Sequence, residues 1–459
     1  MRLDEVFLKK VVPHSEIFSG TLADDITFSL DSRTINKDEL FIPIKGERVD
    51  GHDFLQQALQ KAKGAFVAFS KKTLLDACDT KNKIIILVEN PEQAFIDLAT
   101  AWRVQFTYPL IGITGSIGKT STKTLLTRII EQAEKKVFTA HGNQNTLLGI
   151  ALNMAHLTSE YEMAVFEVGI NKRGEMEHIV AHLQPTTALI TCVAHCHMEG
   201  LGTLNDIATE KRKIFSHFKE ISIGIINGDQ SQLAGVGYAH PVIKFGLKTT
   251  NQIQARKIKY QDTHMNCTLK IYGEKYQVTI PGNHQGMMNN ILASVAMANY
   301  LGIDHQTILQ TVQAPVLPAR RYQSCPLKPA YKGVMIDDAY NASPESVKAA
   351  LLALQQLKTK SKKIVVLGDM LELGSNSSFW HRQIGRFLRK TPSVEKLILV
   401  GKEVEWTHKT VPVGIDVTRV DSWQAATDEL KGALKDESVV LVKGSLGMQL
   451  SHLVKEFTE

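Results

Sequence analysis

The chain has 459 residues, of which 43% are hydrophobic and 22% are charged, as is typical of a soluble globular protein with several domains. A net charge of +6 results from 53 Lys and Arg and 47 Asp and Glu, and no dense basic block occurs. This pattern argues against a nucleic-acid-binding protein. The sequence contains no uninterrupted run of about 18 apolar residues, so we expect no membrane-spanning helix.

The first 18 residues, "MRLDEVFLKKVVPHSEIF", carry charges within the apolar stretch and lack a small-residue cleavage site, so we expect no signal peptide. An odd, sparse set of cysteines in a long chain predicts reduced thiols and a cytoplasmic protein. The cysteines are Cys78, Cys192, Cys196, Cys267 and Cys325.

The first section, residues 1–105, mixes the β-rich runs "LFIPI", "GAFVAF" and "IIILVE" with a helical "FLQQALQKA". In residues 106–315, the buried-strand candidates "LIGIT", "MAVFEVG", "TALITCV" and "IGIINGD" alternate with amphipathic helices, which predicts a parallel sheet. The helix after "LIGIT" places apolar residues on one face. These residues are Leu125, Leu126, Ile129, Ile130 and Ala133.

The Pro-containing stretch "APVLPARR", residues 314–321, predicts a linker. The runs "GVMID", "KIVVLGDM", "KLILVG" and "SVVLVKGS" follow it and predict a second, smaller α/β domain. The sequence therefore predicts domains over residues 1–105, 106–315 and 316–459.

The segment "GITGSIGKTSTK" is similar to a nucleotide-binding P-loop but departs from its strict spacing, because Ile113 stands where the first glycine is usual. The remaining parts occur in order: an apolar strand, Gly115 and Gly118, then Lys119, Thr120 and a helix. Such a turn directs backbone N–H groups and a helix dipole at phosphate oxygens. We favour a nucleoside triphosphate site over an ordinary glycine-rich turn.

Two further segments contain metal-ligand residue types. Glu167 ends the run "MAVFE", where it is either a ligand for the nucleotide's Mg²⁺ or a surface carboxylate. The segment "CVAHCHMEG" offers Cys192, His195, Cys196 and His197 as zinc ligands, but zinc sites usually take ligands from two separated segments. A strand-end histidine at a Mg²⁺–nucleotide site, with the cysteines as buried small side chains, fits better, and an ordinary core or surface histidine stays open.

Several motifs together resemble the Mur ligases. They are "GITGSIGKTSTK", "FEVGINKRGEM", "AHCHMEGLGTLNDIATEK", "IDDAYNASPESVKAAL" and "VVLGDMLELGSNSSFWHRQIG", and "DSRTINKDELFIPIKGERVDGHDF" resembles that family's substrate-nucleotide domain. The motifs follow the family's order over nearly the whole chain. The resemblance implies an α/β protein of three domains: an N-terminal UDP-substrate domain, a central P-loop ATPase domain with a mostly parallel sheet, and a C-terminal Rossmann-like domain.

The resemblance also implies an activity. "DDAYNASPES" and "GDMLELG" are similar to the ligases that add D-alanyl-D-alanine to UDP-N-acetylmuramoyl-tripeptide through an acyl phosphate, in cytoplasmic peptidoglycan precursor synthesis. ATP, Mg²⁺ at two sites and small-molecule substrates are then expected, and a monomer is the default. A ligase that adds a single amino acid and a degenerate nucleotide-binding paralogue without ligase activity remain the alternatives.

By this resemblance, Lys119 contacts the γ-phosphate, Thr120 and Glu167 hold the first Mg²⁺, and His197 holds the second. Lys211 matches a lysine that becomes carbamylated, which converts a cation into an anionic metal ligand.

Arg320 matches an arginine that stabilises the transferring phosphate, with Arg321 as its rival. The remaining implied ATP-site residues are Thr114, Gly115, Ser116, Ile117, Gly118, Ser121, Asn290, Asp338, Tyr340 and Asn341. The implied UDP-substrate residues are Ser32, Arg33, Gly46, Asp50, His52, Asn143 and Asn145. On local sequence alone, "DAYNASPES" is equally a loop with a helix N-cap, and "DSR" is three common surface residues.

Some positions depart from the family pattern. His284 lies further from Asn290 than is usual, and two cations directly follow Lys211. The other departures are at Thr146, Ala151, Cys192, Arg212, Lys213 and Leu446. They concern substrate contacts and the second metal site, and they keep the degenerate paralogue open as an alternative.

Overall fold

A computed structural model describes residues 1–22, 25–46, 48–315, 318–359, 361–434 and 437–458. The chain forms two compact units. The first consists of residues 1–112, 135–169 and 176–186, and the second of residues 113–134, 170–175 and 187–459. The predicted linker includes Val316 and Leu317, which lie outside the described residues.

The first unit contains a five-stranded sheet. Its strands are β1 (Glu16–Ser19), β2 (Thr27–Ser29), β3 (Glu39–Phe41), β4 (Gly64–Ala68) and β5 (Ile84–Val88). Their order is β1-β5-β4-β3-β2, and β1 alone among these strands pairs antiparallel. The accompanying helices are α1 (Glu5–Val11), α2 (Leu55–Lys61) and α3 (Pro91–Arg103). Every residue of β4 and β5 is buried, as their unbroken apolar runs predict.

The middle of the chain alternates strands and helices. The strands are β6 (Leu110–Thr114), β7 (Val137–Thr139), β8 (Met163–Glu167), β9 (Thr187–Ile190), β10 (Ile223–Asn227), β11 (Val242–Gly246), β12 (Ile253–Tyr260), β13 (His264–Ile271) and β14 (Glu274–Pro281). The helices are α4 (Lys119–Gln132), α5 (Leu147–Met154), α6 (Glu175–Leu183), α7 (Met198–Leu201), α8 (Leu204–Arg212), α9 (Ser231–Ala234), α10 (Gln285–Tyr300) and α11 (His305–Gln313).

In the first unit β7 and β8 pair in parallel, and in the second β9, β10, β11 and β12 do so. The predicted parallel arrangement is confirmed for these strands. The antiparallel additions β13 and β14 were not predicted. Exposed positions alternate with buried ones at the end of β14, whereas the prediction used unbroken apolar runs and so missed these strands.

Helix α4 packs its apolar face inward. Leu125, Leu126, Ile129 and Ile130 are buried, as the spacing predicts, and Ala133 lies at the helix C-cap. Helix α10 contacts α4: the Ser294 hydroxyl of α10 donates to the Thr122 carbonyl of α4 at 3.3 Å. Within the described ranges, every helix falls short of the length and apolar character that a membrane crossing requires.

The last part of the chain forms a six-stranded sheet. Its strands are β15 (Gln323–Pro326), β16 (Gly333–Asp338), β17 (Lys363–Gly368), β18 (Val394–Val400), β19 (Asp416–Val420) and β20 (Ser438–Lys443). Its helices are α12 (Pro344–Gln356), α13 (Ser377–Phe387), α14 (Val404–His408), α15 (Trp423–Ala433) and α16 (Leu450–Thr458). The order is β15-β16-β20-β17-β18-β19, and all pairs are parallel except β15 with β16.

Apolar clusters cover both faces of this sheet. Val365 and Leu367 point into one cluster, whereas their neighbours Ile364 and Val366 point into the other. Both faces of the strands are therefore buried, which explains why these strands read as continuous apolar runs.

Candidate functional site

The turn between β6 and α4 requires glycine at two positions. Gly115 has φ +150° and Gly118 has φ +89°. A Cβ atom on Gly115 would lie 1.8 Å from Thr191 Oγ1, and one on Gly118 would lie 2.1 Å from Asn290 Oδ1. Both the backbone conformation and the lack of space exclude a side chain, so Thr191 and Asn290 close tightly around the turn.

The segment that follows β9 holds this turn in place. Ser116 N–H donates to the Cys192 carbonyl at 2.8 Å, and the Ser116 hydroxyl donates to the Ala194 carbonyl at 3.1 Å. The Thr191 hydroxyl donates to the Ile117 carbonyl at 2.6 Å. Because three hydrogen bonds engage two consecutive residues, the shape of the turn is fixed before any ligand binds.

The start of α4 is suited to bind an anion. Its N-cap residue Gly118 supplies no side-chain cap, so no cap side chain occupies the N–H groups of the first turn. Lys119 Nζ donates to the Gly115 carbonyl at 2.8 Å, which keeps the cation over the turn. Thr114 and Ser121, at the edges of the turn, are buried. A strained glycine turn, a helix N-terminus and a lysine thus converge as a phosphate site requires.

Of the two arginines that the sequence left open, Arg321 contacts the turn. Its Nη2 donates to Thr120 Oγ1 at 2.9 Å, and its guanidinium lies 4.2 Å from the Tyr340 ring centroid. Arg320 N–H donates to Gln323 Oε1 at 3.3 Å. The role assigned to Arg320 stays a prediction, and Arg321 is the arginine that the structure places against Thr120.

Lys211 lies in the last turn of α8 with 1% of its surface exposed. Burial is the main cause that lowers the pKa of Lys211 to about 8, and the charge of Lys119 is the second. With this pKa, about a tenth of the Lys211 amine is uncharged and nucleophilic at pH 7, far more than for an ordinary lysine.

The two cations that follow Lys211 have partners elsewhere. Arg212 Nη1 donates to the Gln232 carbonyl at 2.6 Å, and Lys213 Nζ lies 3.0 Å from Glu210 Oε2. Each of the two cations is therefore held by an oxygen acceptor of its own.

The two histidines of the segment "CVAHCHMEG" contact different carboxylates. His195 Nδ1 lies 2.5 Å from Glu345 Oε1, whereas His197 Nδ1 pairs with Glu372. Burial raises the pKa of the Cys192 thiol to about 11, so it stays protonated. Among the described residues, no three His, Cys, Asp or Glu side chains gather as a metal-binding group, which gives the zinc interpretation no support.

The "DDAYN" loop after β16 depends on a lysine that the sequence analysis missed. Lys443 Nζ donates to Asp338 Oδ2 at 2.7 Å and to the Asn341 carbonyl at 3.0 Å, and 2% of Lys443 is exposed. The signal was the lysine of "SVVLVKGS", which comes at the end of a buried strand. This pairing holds both loop residues in place and neutralises the carboxylate.

His284 acts as a helix cap. Its Nδ1 accepts from Gly286 N–H at 3.1 Å, and its ring lies 4.7 Å from that of Tyr322. Burial lowers the pKa of His284 to about 4, so the imidazole is neutral. Asn290, further along the same helix, is the residue that reaches the P-loop glycine.

The predicted UDP-substrate residues in the first unit form local contacts. Asp31 Oδ2 lies 2.7 Å from Arg33 Nη2, and the Arg33 side chain is 80% exposed. His52 Nδ1 lies 2.8 Å from Asp50 Oδ1, and His52 Nε2 accepts from Ala68 N–H at 3.1 Å. Both ring nitrogens of His52 are therefore occupied within the protein.

The other members of this set lie in turns or beside a strand end. Ser32 is buried, and Gly46 N–H donates to the Val49 carbonyl at 2.9 Å. Asn143 is exposed.

Glu167 is buried at the end of β8, with 4% of its surface exposed. Asn145 Nδ2 donates to Glu167 Oε1 at 3.0 Å. The surface-carboxylate alternative for Glu167 is therefore wrong. Its carboxylate is therefore an oxygen donor that the fold holds at the end of a buried strand.

Comparison with known proteins extends over most of the chain. Residues 27–103 match the "Mur ligase family, catalytic domain", residues 113–298 the "Mur ligase middle domain" and residues 320–446 the "Mur ligase, glutamate ligase domain". The chain is 30% identical to the UDP-N-acetylmuramoyl-tripeptide–D-alanyl-D-alanine ligase of Escherichia coli, over 97% of each chain. It is 31% identical to the enzyme of that name from Treponema pallidum, over 93% of this chain and 92% of the relative.

Solved structures share the fold. The MurF ligase of Thermotoga maritima in complex with ADP superimposes with a TM-score of 0.79 at 26% identity, covering 94% of this chain and 96% of that chain. A MurF structure from Acinetobacter baumannii has a TM-score of 0.85 at 23% identity, covering 99% and 98%. The predicted three-domain α/β architecture is thereby confirmed. The chain belongs to the Mur ligase family.

Proposed function

We propose that the chain is an ATP-dependent ligase that joins D-alanyl-D-alanine to UDP-N-acetylmuramoyl-tripeptide, in cytoplasmic peptidoglycan precursor synthesis. The observation that carries the proposal is similarity over nearly the full length to ligases of that name, at 30% and 31% identity. The P-loop turn supports the use of ATP, because its two glycines, Lys119 and the start of α4 match what a triphosphate requires.

Phosphoryl transfer between two anions needs alignment and neutralisation of charge more than acid–base chemistry. The turn around Gly115 and Gly118 would hold the phosphates with its N–H groups, and Lys119 would stabilise charge on the γ-phosphate. Arg320 is the predicted second cation, and Arg321, through its contact with Thr120, is a further candidate. Asn290 would lie beside the nucleotide.

A carboxylate oxygen of the tripeptide attacks the γ-phosphorus, and the bond from that phosphorus to ADP breaks. The amine of D-alanyl-D-alanine then attacks the acyl carbon, loses a proton and expels inorganic phosphate. The residues of the "DDAYN" loop, Asp338, Tyr340 and Asn341, would orient the nucleotide or the incoming dipeptide. Lys443 keeps this loop in place.

The donor set fits Mg²⁺, which prefers oxygen ligands and accepts imidazole less readily. The residues that would hold it are Thr120, Glu167, His197 and carbamylated Lys211. When bound, Mg²⁺ neutralises the charge on the phosphates. The Glu372 carboxylate contacts His197 Nδ1, so Nε2 would be the nitrogen that binds the metal.

Carbamylation of Lys211 is a simple addition. The uncharged Nζ attacks CO₂, an N–C bond forms, and the nitrogen releases a proton to solvent, leaving an anionic carbamate. Burial, which lowers the pKa of Lys211 to about 8, supports this step because an ordinary lysine amine is almost fully protonated at neutral pH.

A substrate panel tests the proposal. Purified protein is incubated with ATP, Mg²⁺ and either UDP-muramoyl-tripeptide or UDP-muramoyl-dipeptide, each paired with D-alanyl-D-alanine, diaminopimelate or lysine. We expect phosphate release and a new UDP-pentapeptide by mass spectrometry only with the tripeptide and D-alanyl-D-alanine. Turnover of the dipeptide with a single amino acid would instead identify the single-residue-adding alternative. ATP binding without turnover would identify a paralogue without ligase activity.

A further inference from the structure

Residues 195–199, here called the His197 segment, make polar contacts with the last part of the chain. His197 pairs through Nδ1 with Glu372, in the loop after β17. His195 pairs through Nδ1 with Glu345, in the first turn of α12. Two histidines of one short segment are thus each held by a carboxylate from a distant part of the sequence.

Apolar and backbone contacts support the same attachment. Met198 packs against an apolar cluster that contains Leu373, and Leu373 is 2% exposed. Glu199 N–H lies 3.5 Å from the Glu372 carbonyl, and a Cβ on Gly374 would lie 3.3 Å from Glu199 Cα. The two segments therefore meet along their backbones, and the pairing of His197 with Glu372 does not depend on two long side chains alone.

Both members of this pair adopt a rare backbone conformation. His197 has φ +50° and Glu372 has φ +63°. Non-glycine residues in this left-handed region are uncommon, and such strain concentrates at functional sites. The Glu372 side chain is 56% exposed, and ion pairs with so much exposure contribute little to stability. The small free energy that this ion pair contributes to folding therefore does not explain why both residues adopt a strained backbone conformation.

A histidine that binds a metal through one nitrogen usually donates its other N–H to a carboxylate, which fixes the tautomer and orients the ring. We propose that Glu372 is such a positioning residue for His197: its carboxylate accepts the Nδ1–H and leaves the Nε2 lone pair to the metal. The inference rests on the proposed metal role of His197. Its consequence is that the metal ligand is in position only when the loop after β17 lies against the His197 segment.

The side chain of Glu372 suggests the substitution that tests this role. An ionised carboxylate accepts a hydrogen bond more strongly than a neutral amide, which makes Glu372→Gln an informative substitution.

The first measurement is the tautomer of His197. Long-range ¹H–¹⁵N correlation spectra of the protein labelled at histidine distinguish Nδ1–H from Nε2–H imidazole, and the His197→Gln spectrum assigns the resonance. We expect Nδ1–H in the wild type and a mixture of tautomers in Glu372→Gln. The matched control is Glu395→Gln, which changes an exposed carboxylate in β18 of the same sheet and should leave the spectrum unchanged.

The second measurement is Mn²⁺ affinity, by electron paramagnetic resonance, with a non-hydrolysable ATP analogue bound. We expect Glu372→Gln to weaken the affected Mn²⁺ site about 10- to 100-fold, as is usual when a carboxylate behind a metal-binding histidine is removed. Glu395→Gln should bind as the wild type does. Glu372→Ala, which removes the acceptor altogether, should show at least the same loss while keeping a cooperative unfolding transition.

The outcomes separate two failures. If His197→Gln weakens Mn²⁺ binding but Glu372→Gln changes neither affinity nor tautomer, the positioning role of Glu372 is wrong and the metal role of His197 stands. If His197→Gln itself binds Mn²⁺ like the wild type, the proposed metal role fails, and this inference fails with it.

Discussion

The predicted site residues around Lys119 differ from those around His52. Around Lys119, the fold places a turn that excludes side chains, a buried lysine and left-handed non-glycine residues. Around His52, the imidazole bonds to Asp50 and to Ala68 N–H, and both ring nitrogens are satisfied. The first region therefore carries strain and desolvation that folding does not require, whereas the second is explained by local structure.

This contrast separates two kinds of evidence. Where polar side chains satisfy one another's hydrogen bonds, the structure is consistent with a structural role as well as a functional one. A buried amine such as that of Lys211 lowers stability unless a ligand or modification compensates it. The following experiments test whether the contrast is one of function.

The largest effect is expected for Lys119→Ala. Loss of a cation that stabilises the transition state costs about 3–4 kcal/mol, so kcat should fall roughly 100- to 1,000-fold in the phosphate-release assay. Arg128→Ala, on the exposed side of the same helix, is the control and should keep wild-type turnover. Wild-type turnover in Lys119→Ala would contradict the assignment.

Gly118→Ala should abolish most ATP binding, with at least a tenfold loss of affinity by calorimetry. A methyl group at this position would collide with Asn290, and the left-handed backbone adds roughly 1–2 kcal/mol of strain. Gly302→Ala is the matched control, because Gly302 has φ +76° and nothing within 4 Å of a Cβ. Equal loss of ATP affinity in both variants would show that strain, rather than the shape of the turn, is responsible.

The carbamate on Lys211 should depend on pH. The folded-state pKa is lowered to about 8, so the reactive uncharged amine increases as pH rises through 8 and decreases below it. At constant CO₂ pressure, the ¹³C carbamate signal should therefore increase from pH 7 to pH 9. Lys211→Ala should lack this signal and regain part of its activity with added short carboxylates. A signal that persists in Lys211→Ala would assign the carbamate to another amine.

His52→Leu should affect stability more than catalysis. It leaves Ala68 N–H without its acceptor and removes the ring's bond to Asp50, which should lower the free energy of unfolding by about 1–3 kcal/mol in urea titrations. The Asp50 carboxylate should make the free energy of unfolding depend on pH in acid, and Asp50→Asn should remove this dependence. Bonds from His52 hold the pKa of Asp50 at about 2 despite burial, so the stability it contributes is lost as pH falls from about 4 to 2. A drop in kcat without loss of stability would instead make His52 functional.

The smallest effect is expected for Arg33→Ala. Its side chain is 80% exposed and pairs with Asp31, so the unfolding midpoint should hardly change. This makes the variant a clean test of substrate contact. A raised KM for the UDP-linked substrate with unchanged stability would support the predicted role, and an unchanged KM would remove Arg33 from the site.

The sequence was most informative where chemistry requires neighbouring residues. The P-loop glycines, Lys119 and Thr120 lie within one turn between an apolar strand and a helix, so their order predicted the phosphate site despite the unusual spacing. Strands buried on both faces were likewise visible as apolar runs. The antiparallel strands β13 and β14 were not, because their partly exposed faces break the apolar run. The boundaries of the three domains and the roles of the UDP-substrate residues stay predictions.

By itself, the sequence determined the α/β class, the position of the glycine-rich turn and, through ordered motifs, the family. Only the tertiary structure decided which distant side chains meet: Arg321 with Thr120, Lys443 with Asp338, and Glu372 with His197. The physical reason is that local patterns record hydrogen bonds and burial within a few residues. Ion pairs between segments depend on how strands and loops far apart in the chain are brought together, and the desolvation that sets the pKa of Lys211 depends on the same packing.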